Sequence, residues 1–444
     1  MRKAAGGLAV AVALPPLFLH VDHQPGFTVH MGSVGVHVAL SDFCIAGLAL
    51  AALAAGRRLG FDPLRAGRPV WVAALALLLM VAAATLYGRS VHREYHLGTH
   101  AVTAAKFAYY GLIAVAVPLL VRSRRDLAAV AAGLVAWSAA ATSVALVQFF
   151  GVDVAGAWSA GRRQPSFLGH HDFAALSGAA LAFSLVAIAA PVWLKGPRTF
   201  TIVAGVSGTL GLVLSGSTAG AAGLAVAAAA ALLAGRILRT LTARRAAAIG
   251  SIVALVAAGV LVLRGRDFDQ FFRWLGVRSE QQATRENVQS YAQHTLLAYL
   301  GLRIFLDHPF GGVGWQGSSE YASYRPYLAA AHRRFPRTAE KAFPAPDRPY
   351  GVQNVWIQSL ADMGVVGFVL LAGLFVTGIV FAVRVAGRGP PLVSALALAC
   401  ALTLIVEMGV WSANGLVAGI PIDALLWLVL GLLVAAAGAH RELW

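Results

Sequence analysis

Asp307-His308-Pro309-Phe310-Gly311-Gly312-Val313-Gly314 and Val352-Gln353-Asn354-Val355-Trp356-Ile357-Gln358-Ser359-Leu360 mark the far end of a long polar stretch that runs from Arg264 to Gln353. Apolar runs of membrane-crossing length lie on both sides of it. The chain of 444 residues is 59% hydrophobic and only 12% charged, with a mean hydropathy of +0.72. A soluble domain is roughly half apolar and roughly a quarter charged. The composition therefore specifies an integral membrane protein, and the polar stretch is its one large segment outside the bilayer.

A helix needs roughly 20 apolar residues to cross the hydrocarbon. By that rule the sequence predicts an all-α, polytopic integral membrane protein with about 12 transmembrane helices, at 5–21, 36–55, 69–88, 103–122, 127–149, 172–192, 199–215, 218–235, 246–263, 364–384, 391–411 and 420–438. Residues 1–263 then carry transmembrane helices 1–9, residues 264–353 an extracytoplasmic loop domain with amphipathic helices, and residues 354–444 transmembrane helices 10–12. The seventh and eighth spans are short and joined by Ser215-Gly216-Ser217, which predicts a tight hairpin or a partly re-entrant pair. The apolar run behind Arg2 and Lys3 is similar to a signal peptide, but further spans follow and no convincing cleavage site appears, so it reads as an uncleaved first span.

Basic residues orient the bundle. With the N-terminus cytoplasmic, the inside segments hold 18 of the 35 Lys and Arg residues, whereas the short outside loops hold only Arg89, Arg93, Arg162 and Arg163. This bias places both termini in the cytoplasm and the long loop outside. Histidines agree: on this topology only His440 of the 13 lies inside. They form no compact Cys/His or His-x-x-x-His ligand set, so no metal is expected. Cys44 and Cys400 sit within apolar runs, which excludes a disulfide framework. The net charge of +16 is carried by no basic, aromatic-interleaved soluble module, which excludes nucleic acid as a partner. Asp42, Lys106, Glu407 and Asp423 lie within spans, where an ionisable side chain either pairs or serves function. Lys106 is available to pair with one of the carboxylates.

From Arg264 to Arg348 there are 12 Lys or Arg residues against eight Asp or Glu. Arginine in excess beside a bilayer suits a phosphate-bearing substrate, because the guanidinium fork binds phosphate oxygens bidentately and stays charged. A solvated loop or a contact with anionic lipid gives the same composition. Tyr291 to Leu306 has apolar residues at helical spacing with His294 and Arg303 interleaved, which predicts an amphipathic helix lying on the membrane or capping a cavity. Gly311, Gly312 and Gly314 make a tight turn that either brings backbone amides to a phosphate or ends this helix.

The chain resembles the O-antigen ligase and polymerase family of membrane glycosyltransferases. The residues that carry the resemblance are Asp307-His308-Pro309 with Gly312-Val313-Gly314, then Gln353-Asn354 with Gln358-Ser359-Leu360-Ala361-Asp362-Met363-Gly364-Val365-Val366-Gly367, all around one large outer loop between the ninth and tenth spans. Val38-Ala39-Leu40-Ser41-Asp42 resembles the family's early span, Arg162 to Ala175 its sixth-span start, and Ser215-Gly216-Ser217 its turn between spans seven and eight. The resemblance implies transfer of a glycan from an undecaprenyl-diphosphate carrier to an acceptor hydroxyl at the outer face of the cytoplasmic membrane. It implies an inverting, metal-independent reaction without cofactor. The partners it implies are the polyprenyl-diphosphate-linked donor, a lipid, wall-polymer or glycan acceptor, and the bilayer.

Three positions depart from the family pattern. Gln353-Asn354 stands where members commonly carry His-Asn, Thr218 where an arginine follows the serine of the turn, and His294 where an arginine precedes the His-Pro. Glutamine takes no proton near neutral pH. One explanation is an active enzyme with relocated charges: Arg162, Arg163, Arg285, Arg303 and Arg348 for the diphosphate, with the catalytic group drawn from His170, His171, Asp172, His294, Gln353 and Asn354. The other is loss of transferase chemistry, leaving an inactive scaffold of a glycan-assembly complex. A transporter or flippase of lipid-linked saccharides is the alternative of another class, but it predicts two similar halves, and no repeat between halves is present.

Overall fold

The computed structural model describes residues 5–32, 34–193, 198–277, 290–416 and 419–441. In chain order these form α1 (Ala5–Leu17), β1 (Gly26–Met31), β2 (Val34–Ala39), α2 (Leu40–Leu59), α3 (Arg68–Val91), α4 (Leu97–Tyr110), α5 (Leu112–Leu120), α6 (Arg124–Phe149), α7 (His170–Ala189) and α8 (Arg198–Ser215). They continue with α9 (Thr218–Ile237), α10 (Ala243–Leu263), α11 (Gly265–Trp274), α12 (Ser290–Asp307), α13 (Tyr321–Arg334), α14 (Val355–Arg388), α15 (Pro391–Trp411) and α16 (Pro421–Arg441). Among the described residues, 11 segments are long and apolar enough to cross a membrane, α4 and α5 counting as one. The first of the 12 spans expected from the sequence is α1, an apolar helix of 13 residues as described.

The second span begins later than its apolar run suggests. Val34–Ala39 pairs antiparallel with Gly26–Met31, Gly26 opposite Ala39. Val34, Val36 and Val38 alternate with Gly35, His37 and Ala39, a period of two that belongs to a strand. The helix starts only at Leu40, where the Asp42 carboxylate accepts the Ala39 amide at 2.8 Å.

Three helices make the centre. Of the apolar windows of α7, α15 and α16, 89%, 83% and 83% is buried, against 17% for α10. The central helices are apolar on every side, as suits helices with neighbours all round. Small residues let them close in: a Cβ added to Gly409 of α15 would stand 2.7 Å from Gly223 Cα of α9. Such contacts replace the hydrophobic drive that lipid removes. Lys106 Nζ pairs with Asp42 Oδ2 at 3.2 Å, as its position suggested. Asp423 accepts the Gly419 amide and Asp172, from α7, the Ile422 amide, both at 2.9 Å, so two carboxylates hold the positive start of α16. Both oxygens of Glu407 are buried without a partner.

α14 is broken at Gly364, whose φ of 66° and ψ of −168° lie outside the helical region. The break is where the glycine-rich turn docks. Val365 N–H donates to Pro309 O at 2.8 Å, and the amides of Val313 and Gly314 donate to the carbonyls of Ala361 and Asp362, each at 2.9 Å. The Val313 and Gly314 amides are therefore taken up by the break, and the Gly312 amide by the carbonyl of His308. The Asp362 carboxylate adds bonds from the amides of Gln316 (3.2 Å) and Ser318 (2.8 Å) and from Gln358 Nε2 (3.1 Å). A Cβ on Gly364 would overlap the Phe310 carbonyl. Gly364→Ala combines that overlap with a backbone conformation L-residues avoid, and is expected to cost on the order of 3 kcal/mol, read as a lowered thermal midpoint in detergent.

α12 is the amphipathic helix the sequence predicted, and it caps rather than spans. Leu296, Leu297, Leu300 and Ile304 pack with Tyr324, Tyr327 and Ala331 of α13 and with Val313 and Phe343, a second core separate from that of the bundle.

Candidate active site

Where α8 turns into α9, at the same end of the bundle as α12, five pieces of chain enclose a cavity of about 300 Å³. Arg163, His170 and His171 come from the turn before α7 and its first residues. Ser217, Thr218 and Ala219 open α9, Arg264 follows α10, Ser290, Tyr291 and His294 start α12, and Ser412 and Ala413 follow α15. The first turns of α7 and α9 both face it, presenting amides at the positive ends of two helix dipoles. A larger groove of about 530 Å³ between α6, α8 and α15 lies at the opposite end and is lined by side chains such as Leu127, Phe183, Phe200 and Leu392. It is apolar and carries no group able to do chemistry.

Two arginines dominate the polar cavity. Arg264 donates from Nε to Asp267 at 2.9 Å and from Nη1 to Gly216 O at 3.4 Å, and its guanidinium lies 4.4 Å from the Tyr291 ring centroid. Its Nη2 is buried with no partner. The Arg163 guanidinium lies 4.5 Å over the Trp158 ring. Burial, and then the Arg264 charge, bring the Arg163 pKa down to about 10, which still leaves it charged at neutral pH. The tight turn between α8 and α9 makes room for both, since a Cβ on Gly216 (φ +60°) would stand 2.8 Å from Arg163 Cβ. Two like charges beside each other, with an unmet donor between helix N-termini, give this end of the cavity a positive potential suited to an anion.

Imidazoles line the same space. The rings of His170 and His171 are 4.0 Å apart, and His171 Nδ1 is buried without a partner, as is the Tyr291 hydroxyl. His294 Nδ1 lies 3.3 Å from the carbonyl of Gln353. A carbonyl only accepts, so Nδ1 carries the hydrogen and Nε2 keeps its lone pair. Burial lowers the His294 pKa, the bond to Gln353 opposes that, and the charges of Arg264 and Arg163 lower it further.

Of the residues singled out from the sequence, Arg163, His170, His171 and His294 meet in this cavity. Arg162 borders it through Asp267, at 3.7 Å. Gln353 contributes its carbonyl to His294, and Asn354 caps α14 by accepting the Ile357 amide at 3.0 Å while its Nδ2 donates to Ser412 O at 2.7 Å. Asp172 turns away to α16. Arg303 is exposed on α12 with its guanidinium 5.9 Å from the Tyr327 ring, and Arg348 bonds within its own turn, to Lys341 O at 3.5 Å. Arg285 lies outside the described residues. Arg264 and Tyr291 were missed. Tyr291 sits three residues before His294, a spacing that puts both on one helix face, and Arg264 reads in sequence merely as the end of a span. Among the described residues no group of three or more His, Cys, Asp or Glu is disposed to hold a metal ion.

The fold and cavity define a multi-pass membrane protein with a cationic, histidine-bearing site at one end of its bundle. Residues 200–372, from α8 through the break in α14, match the model of a family described as O-antigen ligase. No curated protein matches the chain. The family match supports, in general terms, a membrane ligase or polymerase of the glycosyltransferase type.

Proposed function

We propose that the protein transfers a glycan from a polyprenyl-diphosphate carrier to an acceptor hydroxyl at the outer face of the cytoplasmic membrane, with inversion and without a metal. The observation that carries this reading is the buried, unpartnered Nη2 of Arg264 beside Arg163. A diphosphate would satisfy that donor and relieve the repulsion between the two cations, and the charge it gains on departure is what such donors stabilise. The acceptor oxygen attacks the anomeric carbon opposite the diphosphate, the carbon–oxygen bond to phosphate breaks, and the hydroxyl proton passes to His294 Nε2. His294 would stand in for the imidazole that the family pattern puts at Gln353, which it touches. The arginines beside Gly216 would likewise replace the one the pattern puts at Thr218. The orientation is supported by the opposite end of the bundle, where Arg57, Arg58, Arg122, Arg124, Arg125, Arg244 and Arg245 gather.

Purified protein in lipid nanodiscs, given polyprenyl-diphosphate oligosaccharide and a panel of acceptors, is expected to release free carrier and form a glycosylated product, with chelator present. Absence of both donor binding and turnover across the panel would overturn the reading.

A further inference from the structure

Trp158 is the one large side chain in the run Ala155-Gly156-Ala157-Trp158-Ser159-Ala160-Gly161. Two fully buried glutamines hold this run in shape. Gln148 Nε2 donates to the carbonyls of Val154 (2.7 Å) and Ser166 (3.1 Å). Gln164 accepts the Trp158 amide at 2.8 Å and donates to Ser159 O at 3.0 Å. The braced loop nonetheless leaves Trp158 38% exposed. The ring's partners are the Arg163 guanidinium at 4.5 Å and the His170 ring at 5.3 Å, both in the walls of the cavity.

We infer that Trp158 is a stacking platform for the sugar ring that the donor carries next to its diphosphate. This rests on the diphosphate reading above. The sugar is bonded directly to the phosphate, so its subsite must adjoin the cations, and Trp158 is in contact with one of them. An aromatic face is electron-rich and attracts the weakly positive C–H groups of a pyranose face. Arg163 occupies one face of the ring, so the sugar would stack on the part of the ring that Arg163 does not cover and that the 38% exposure of Trp158 leaves accessible.

The test is binding without acceptor, in nanodiscs, of the bare polyprenyl diphosphate and of the same carrier bearing its glycan. Wild type is expected to prefer the glycan-bearing carrier by about tenfold. Trp158→Ala is expected to erase that preference while binding the bare carrier as wild type does, which also shows that it is folded. Trp158→Phe should restore part of the preference, and Trp158→Leu, with apolar bulk but no ring, should not. Equal loss for both carriers would make the ring a mere prop for Arg163 and overturn the platform, as would an undiminished preference in the Ala variant. If wild type binds neither carrier, the diphosphate reading falls and the platform with it.

Discussion

Arg264→Ala is expected to lower kcat by about a hundred- to a thousandfold, the scale seen when one donor to a developing anion is removed. The residue is placed for that effect on three counts: it is buried, one of its N–H groups has no partner, and Tyr291 covers its flat face. Its bonds to Asp267 and Gly216 O also give it a structural part. Arg264→Lys separates the two roles, since it keeps the charge and loses the planar fork. Lys should recover part of the rate, and its thermal midpoint should stay near that of wild type. A full rate in the Ala variant would remove Arg264 from the chemistry.

His294→Ala is expected to lower turnover by about a hundred- to ten-thousandfold, the range for loss of a positioned base. The pH profile makes this specific. A base works in its neutral form, and burial with the charges of Arg264 and Arg163 holds His294 below its usual 6.5. Activity should therefore be level above that value and fall as pH drops through the lowered one. In Arg264→Ala one of the depressing charges is gone, so the acid limb of the residual activity should move up in pH, while in Arg264→Lys it should stay. An acid limb that persists unchanged in His294→Ala would assign the titration to another group.

Much of the architecture was legible because it follows from counts that tolerate imprecision. Spans follow from the length of apolar runs, and that Lys106 pairs with a carboxylate follows from the cost of burying it alone, although only the structure identifies Asp42 as the partner. The β-hairpin escaped because Val34–Ala39 is as apolar as a helix start, and only its period of two distinguishes it. The site was legible as residue types and not as geometry. His294 and Arg303 are both polar interruptions of α12, but nine residues make two and a half turns, so they face opposite ways. Asp172 follows His171 directly, yet one step along a helix turns the side chain by about 100°, from the cavity to α16. Gly312 and Gly314 were open to two readings, a phosphate cradle or a helix end, and the amides of Val313 and Gly314 instead meet a break in α14 that no local pattern announces.

Asn354 ties the cavity to the order in which the chain is made. Its amide holds the carbonyl of Ser412, and Ser412 with Ala413 forms the wall contributed by α15. Every other wall has left the ribosome before α15 is translated. The cavity is therefore completed only when α15 has been made and packed against the start of α14.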